Sequence, residues 1–292
     1  TDAGGLSKIV EFGEPAPEGG TFSTLRFVSR QTANLAFWAN IFELGMPARS
    51  NGVFTRIAGV NELVADTTTV IPGSAPTAFS GFSDPDISGR NVAFHGGRGA
   101  ITGVYARIDG TLTKVADIND TQPGSAQRFR TVSIPVISGR QVAFRGVGDF
   151  GGIYVGDGGP LTVIAQTGDP APGGGTFSGF GQNVSIDGGE VAFSGAGSGF
   201  SGLFVSGQSG LCRVIDTNDP LEGGEVTQLF MGRDSYSLGI LGFRAVFSGG
   251  SEGIYLANSP RSSPTGALFI HSIGPMRKSM HRLSKWPTAA FV

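Results

Sequence analysis

Two aspartates one residue apart, Asp84 and Asp86, open the segment DPDISG. Oxygen donors at alternate positions ahead of a turn glycine are how a chain begins to wrap a hard cation such as Ca2+. The segment matches the D-x-D-x-[DNS]-G start of a calcium loop, without that motif's distal Glu. Asn183 and Asp234 stand in similar segments later in the chain, where other copies carry Phe27, Ile134 and Val136. Acids that break a repeat's own apolar pattern mark a candidate functional site. Asp84, Asp86, Asn183 and Asp234 are therefore the candidate metal ligands, and Ca2+ is the expected cofactor. Arg26, Arg130 and Arg233 supply the competing reading, in which a guanidinium neutralises these acids.

Other residues invite chemistry less sharply. His95, Arg145 and Ser194 each follow the Phe of a recurring VAF, and His95 is the candidate general base, since an imidazole titrates near neutrality. An idle histidine at a strand end is its bland counterpart. Glu11, Asp66, Asp117, Gln166 and Asp216 recur with Glu14, Asp120, Asp169 and Asp219 three residues on. These acids either ring a cation or bond to their own turns. Phe42, Leu44, Met46 and Ile71 form a candidate apolar substrate rim. Gly249-Gly250-Ser251-Glu252-Gly253 matches G-x-S-x-G but joins two strands, which is the wrong setting for a nucleophile. No phosphate-binding glycine loop and no Cys/His cluster occur, so neither nucleotide nor zinc chemistry is expected.

The elements that position these residues come from a repeat. LAF at Leu35, VAF at Val92, Val142 and Val191, and AVF at Ala245 mark five copies. Each is followed by Gly, an aliphatic and an aromatic, as in Gly103-Val104-Tyr105, and then by a run such as KVAD at Lys114. Short β-rich runs between Gly, Pro, Asn and Asp read as strands joined by turns. No stretch shows helical periodicity. Four strands in each unit of about 50 residues fit the blades of an all-β, five-bladed β-propeller. The expected blades are 22–67, 79–118, 128–167, 177–217 and 227–258. Residues 5–12 would complete the last as its outer strand and close the ring without an exposed sheet edge. The remainder, 259–292, carries five Lys/Arg and no acid and reads as a basic extension. In such a ring the strand before each VAF lines a central channel, which would gather the acids.

Composition narrows the partners. A formal charge of −2 gives no footprint for nucleic acid. No apolar run approaches the roughly 18 residues of a membrane span. One cysteine, Cys212, excludes an internal disulfide and reads as a small buried hydrophobe. A monomer with a small-molecule or glycan ligand is expected.

GDPAPGGGTF (Gly168 to Phe177), SIDGGEVAF (Ser185 to Phe193) and GLFV (Gly202 to Val205) resemble the tandem NxxGxxAF repeats of secreted or surface-anchored bacterial proteins. EPAPEGGTF (Glu14 to Phe22) is a second copy of the turn. Ile87, Ile137, Ile186, Ile240 and Arg30 stand at the repeat's Asn, and only Gly189 keeps its Gly. The resemblance implies a place in the bacterial envelope and no activity. Three functions are open: a calcium-assisted lactone or ester hydrolase at the channel, a non-catalytic propeller binding glycan or protein, and a five-bladed glycosidase. The last needs two carboxylates about 5–10 Å apart, and the channel strands offer no Glu.

Overall fold

In the computed structural model, which describes residues 8–42, 51–207, 210–259 and 270–272, every helix or strand is a strand. The first sheet is β1 (Thr21–Gln31), β2 (Asn34–Phe42), β3 (Gly52–Ile57) and β4 (Val60–Asp66), antiparallel and paired in chain order. β5 (Gly81–Ser88), β6 (Asn91–Arg98), β7 (Ile101–Ile108) and β8 (Thr111–Asp117) repeat it as a second sheet. In the third, the first strand is split into β9 (Thr131–Val132) and β10 (Val136–Ser138), both paired with β11 (Gln141–Val147), and β12 (Gly151–Gly156) and β13 (Thr162–Gln166) follow. The fourth is β14 (Phe177–Asp187), β15 (Glu190–Gly197), β16 (Phe200–Gly207) and β17 (Gly210–Asp216). The fifth opens with β18 (Pro220–Leu221), β19 (Gly224–Phe230) and β20 (Tyr236–Ser237), and continues through β21 (Ile240–Phe247), β22 (Glu252–Asn258) and β23 (Ile270–Ser272). The expected order of strands within a unit is thus observed.

The repeat motifs have a packing reason. Phe37, Phe94, Phe144 and Phe193 each lie directly across from an aromatic of the next strand, Phe54, Tyr105, Tyr154 and Phe204. These pairs are near-parallel, as with Phe193 and Phe204 at 5.8 Å and 23°. A third ring, Phe22, Phe79, Phe129 or Phe177, meets the second edge-on, as Phe79 meets Tyr105 at 4.9 Å and 89°. Because side chains alternate across a strand, the Ala before each Phe points to the opposite face. That small face receives the aromatics of the following sheet: Ala36, Val53 and Ala65 pack with Phe79, Phe94 and Tyr105. Ala93, Val104 and Ala116 do the same for Phe129, Phe144 and Tyr154.

The glycine of the Gly-aliphatic-aromatic motif is required by a close approach. A Cβ on Gly103 would stand 2.5 Å from the Ala116 carbonyl oxygen, where β8 shifts register against β7. Gly52 and Gly202 approach their outer strands in the same way.

Three expectations are corrected in the fifth sheet. Phe243, not Phe247, stacks on Tyr255, at 5.6 Å and 26°. The fifth copy of VAF is therefore Leu241-Gly242-Phe243, four residues ahead of Ala245. Tyr236, not Ile240, takes the place of Ile87, since it pairs with Leu241 as Ile87 pairs with Val92. The cause is an exchange across the ladder. Val226 fills the site of Phe177 on the first strand, and Phe247 opposite supplies the edge-on ring to Tyr255 instead.

The third correction concerns the outer edge of β22, where Tyr255, Leu256 and Ala257 pair with Ser272, His271 and Ile270. Lys8 to Phe12 form no strand, although Leu6 to Phe12 is the stretch expected there, and Leu6 and Ser7 lie outside the described residues. The turn that follows, with Phe22 N–H donating to the Glu14 carbonyl, brings Val10 against the Phe22, Phe37 and Phe54 cluster. Cys212 lies on β17 and is half-buried rather than buried.

Two outcomes follow from this packing. Gly103→Ala should destabilise by about 1–3 kcal/mol, the cost of overpacking a tight site, measured by urea titration. Truncation after Ser259 should uncover Tyr255 to Ala257, lowering the melting temperature and promoting association through the bared edge. An unchanged melt at all concentrations would show β23 to be dispensable.

Candidate functional site

Residues from the first strand of every sheet meet around one cavity of about 270 Å³, among them Ser29, Asp86, Val136 and Ser185, joined by Asp234 and Tyr236. A second cavity of about 190 Å³ shares Ser29, Asp86 and Asp234 and adds Val28, Asp84 and Arg233. These first strands are sheet edges, so part of their backbone has no ladder partner. The groups are satisfied from the neighbouring sheet. Ile137 N–H donates to Asp86 Oδ2 at 2.7 Å, and Tyr236 N–H donates to Ser185 Oγ at 3.0 Å. Ser88 Oγ accepts the Gly139 N–H and Ser138 Oγ accepts the Gly188 N–H.

Asp86 is thus a brace between three sheets. Its Oδ1 accepts the Ser29 hydroxyl of the first sheet at 2.6 Å while Oδ2 takes the amide of the third. It is 7% exposed. Burial, aided by nearby Asp234, pushes its carboxyl above the usual carboxylate range against the pull of these two bonds and Arg233. Asp84 makes an ion pair with Arg233, Oδ2 to Nη1 at 3.7 Å, and the same guanidinium donates to the Pro135 carbonyl at 2.7 Å. Of the four candidate metal ligands, Asp84, Asp86 and Asp234 therefore converge, with Arg233 among them. Asn183 stands apart from the walls of both cavities and donates to the Met231 carbonyl at 2.9 Å.

The recurring turn acids serve their turns. Asp66, Asp117 and Asp216 accept the amide two residues on, at Thr68, Asn119 and Asn218. Asp120, Asp169 and Asp219 reach back to the amides of Asp117, Gln166 and Asp216. Both kinds of bond occur together in the turns at Asp117 and Asp216, and the carboxylates of all these turns are engaged. Asp117 and Asp216 are also paired with Lys114 and Arg213.

His95 is half-buried beside Ser83, its cross-strand partner, and burial lowers its pKa. Among the described residues no acid lines its cavity. The candidate rim divides. Phe42 is 60% exposed, whereas Ile71 is fully buried with Phe79 and Phe94 and cannot meet a ligand. Leu44 and Met46 lie outside the described residues. Sequence reasoning did not foresee Asp86 as a brace, because its partners Ser29 and Ile137 lie 57 and 51 residues away. Among the described residues no helix is long and apolar enough to cross a membrane.

The brace yields a prediction with a defined sign. A carboxyl whose folded-state pKa is raised stabilises the fold at low pH and loses that contribution as pH rises through the folded value. Asp86→Asn keeps an acceptor for Ile137 and offers its amide to Ser29 Oγ, so at pH 7 it should be at least as stable as the wild type. That margin should close as pH falls into the carboxylate range. Asp86→Ala leaves the Ile137 amide buried and unpaired and should cost about 1–3 kcal/mol. Thermal melts of the three proteins between pH 3 and 8 test both.

The sequence signature of a family of unknown function, DUF7453, matches residues 1–222. No curated protein matches the chain. Among solved structures it is similar to the β-propeller domain of the Trilobed protease from Pyrococcus furiosus, with a TM-score of 0.39 and 12% identity over 87% of this chain and 84% of that one. It is similar also to YCF48 bound to D1 peptide, at 0.36 and 14% over 90% and 71% of the two chains. A third is Pyrococcus horikoshii acylaminoacyl peptidase, at 0.34 and 11%, where the match takes in 86% of this chain but 46% of the other. With its family signature spanning most of its length, the chain belongs to DUF7453, a family of unknown function.

Proposed function

We propose that this chain is a five-bladed β-propeller acting as a non-catalytic binding module of the bacterial envelope. The ring reading is supported by the cavity to which all five sheets contribute and by the packing of the aromatic face of the second to fifth sheets on the small face of the one before. The single observation that carries the functional reading is Arg233. A cluster of carboxylates in a confined space demands a positive charge, and a guanidinium of the chain itself stands 3.7 Å from Asp84. The other requirements of a hydrolase fare no better: the turn acids are engaged with backbone amides, and among the described residues no acid lines the cavity of His95. The envelope placement rests on the repeat resemblance alone.

The competing reading, a calcium-assisted lactone or ester hydrolase, needs Asp84, Asp86, Asn183 and Asp234 free to hold the ion. Calorimetry separates the two. With an internal cation, melting curves in chelator and in saturating calcium should coincide. A gain of about 2.7 kcal/mol at a hundredfold excess over Kd, lost in the Asp84→Asn/Asp86→Asn double variant, would overturn the module reading and restore the metal.

A further inference from the structure

Successive sheets are latched by one recurring bond. The Gly89 N–H of the second sheet donates to Gln31 Oε1 of the first, Gly139 N–H to Ser88 Oγ at 2.8 Å, Gly188 N–H to Ser138 Oγ at 3.1 Å and Leu238 N–H to Asp187 Oδ2 at 2.7 Å. Each donor stands in the turn after a sheet's first strand, and each acceptor holds the place just ahead of that turn in the sheet before. Between the fifth sheet and the first, the corresponding acceptor is Ser237 and the corresponding amide is that of Thr32. Ser237 instead turns back to the fourth sheet, donating Oγ to Asp187 Oδ2 at 3.3 Å. Ser235, the counterpart of Ser185, keeps its Oγ within its own loop, accepting the Gly232 N–H at 2.6 Å.

Both lips of this seam are apolar and uncovered. Val53, Val104, Ile153 and Leu203 are fully buried, whereas Ile254 at the same place in the fifth sheet is partly exposed. Leu256, two residues on, is 37% exposed where Thr55, Ala106 and Val205 are fully buried. Phe230, Arg244 and Ile254 lie in one cross-strand row and Gly242 and Leu256 two residues along, so all five share this face. A hollow of about 330 Å³ lies over it, walled among the described residues by the fifth sheet alone. On the other lip Val28, across from Phe37, is 64% exposed, whereas Val184, across from Phe193, is buried. Covering these residues is favourable. The Arg244–Glu252 ion pair, at 2.7 Å with its guanidinium 4.3 Å from the Phe230 ring, opposes it, because the pair must lose its water. We propose that the ring parts and closes reversibly at this seam, the first sheet shutting over the bare face of the fifth. The shared cavity has Ser29 and Arg30 on one side of the seam and Tyr236 and Ser237 on the other, so parting opens it from the side. The proposal rests on the five-bladed reading and adds a moving part to it.

Electron-spin distance measurement on the full chain tests it. With Cys212 replaced by Ser, labels at Ala33 and Leu238 read the seam, and labels at Arg90 and Arg140 read the latched junction of the second and third sheets; all four positions are exposed. The latched pair should give one narrow distance and the seam pair two, the shorter matching the latched value. Removing the charge pair with Arg244→Leu and Glu252→Gln should raise the ratio of short to long distances at the seam at least threefold. A single seam distance equal to the latched one would show a sealed ring, overturning the proposal and leaving the five-bladed reading standing. A seam held only at the long distance in both proteins would overturn the proposal and the ring together. Two distances whose ratio ignores the double variant would overturn the balance of forces on which the proposal rests.

Discussion

The packing of paired rings on a small face is the constraint from which the architecture follows. Phe94 stacked on Tyr105 makes a broad, rigid surface, and only Ala36, Val53 and Ala65 leave room for it at the spacing of two sheets. Aromatic pairs of this kind contribute about 0.5–1.5 kcal/mol beyond the area they bury. Their geometric consequence matters more. A sheet with one bulky face and one small face packs on its neighbour in one order only, so successive sheets are stacked in the same sense along the chain. Gly103 and its counterparts belong to the same device, since the strand carrying the second ring must lie close to the outer strand.

Stacking in this sense turns the first strand of each sheet toward a common interior, and there the constraint changes from volume to hydrogen bonding. Edge amides that no ladder can use must still find acceptors. Asp86 and Ser185 supply them from the preceding sheet, at positions where a purely apolar residue would leave Ile137 or Tyr236 unpaired. Polarity in the interior thus has a structural origin, and it does not by itself announce chemistry. Arg233 completes the pattern as the counterion of acids that the scaffold has drawn together.

Much of the scaffold was legible in sequence for the same reason that it is regular. A Phe opposite a Tyr, an Ala before it and a Gly ahead of it each answer one packing demand, and they recur wherever the demand recurs. Legibility failed where two residues on facing strands solved one demand jointly. Val226 and Phe247 fill the place of a single inner-strand Phe, and from one strand alone Phe247 reads as the repeat's own ring. The outer strand of the last sheet failed differently: Leu6 to Phe12 carries the repeat's pattern, yet Val10 finds burial against Phe22 and Phe37 without entering a ladder. At the candidate metal site, the types of Asp84, Asp86 and Asp234 could be read, but their partners could not. That Ser29, Ile137 and Arg233 meet them depends on contacts between sheets 51 or more residues apart.

Where the scaffold makes no demand, the repeats diverge. The position four residues after the stacked Phe is Ile41, Arg98, Gly148, Gly197 and Phe247 in the five sheets. Two of these are explained by packing: Ile41 is buried in the first cluster and Phe247 completes the fifth. Gly148 and Gly197 are held small by their neighbours, since a Cβ would meet Gln122 Oε1 at 2.5 Å and Phe200 at 2.3 Å. Of the five, Arg98 alone is exposed and charged, and it donates to the Ala78 and Phe79 carbonyls. The position after each stacked Phe behaves alike, running Trp38, His95, Arg145, Ser194 and Arg244. Side chains alternate along a strand, so these two variable positions face opposite sides of each sheet, one toward its own rings and the other toward the sheet that follows.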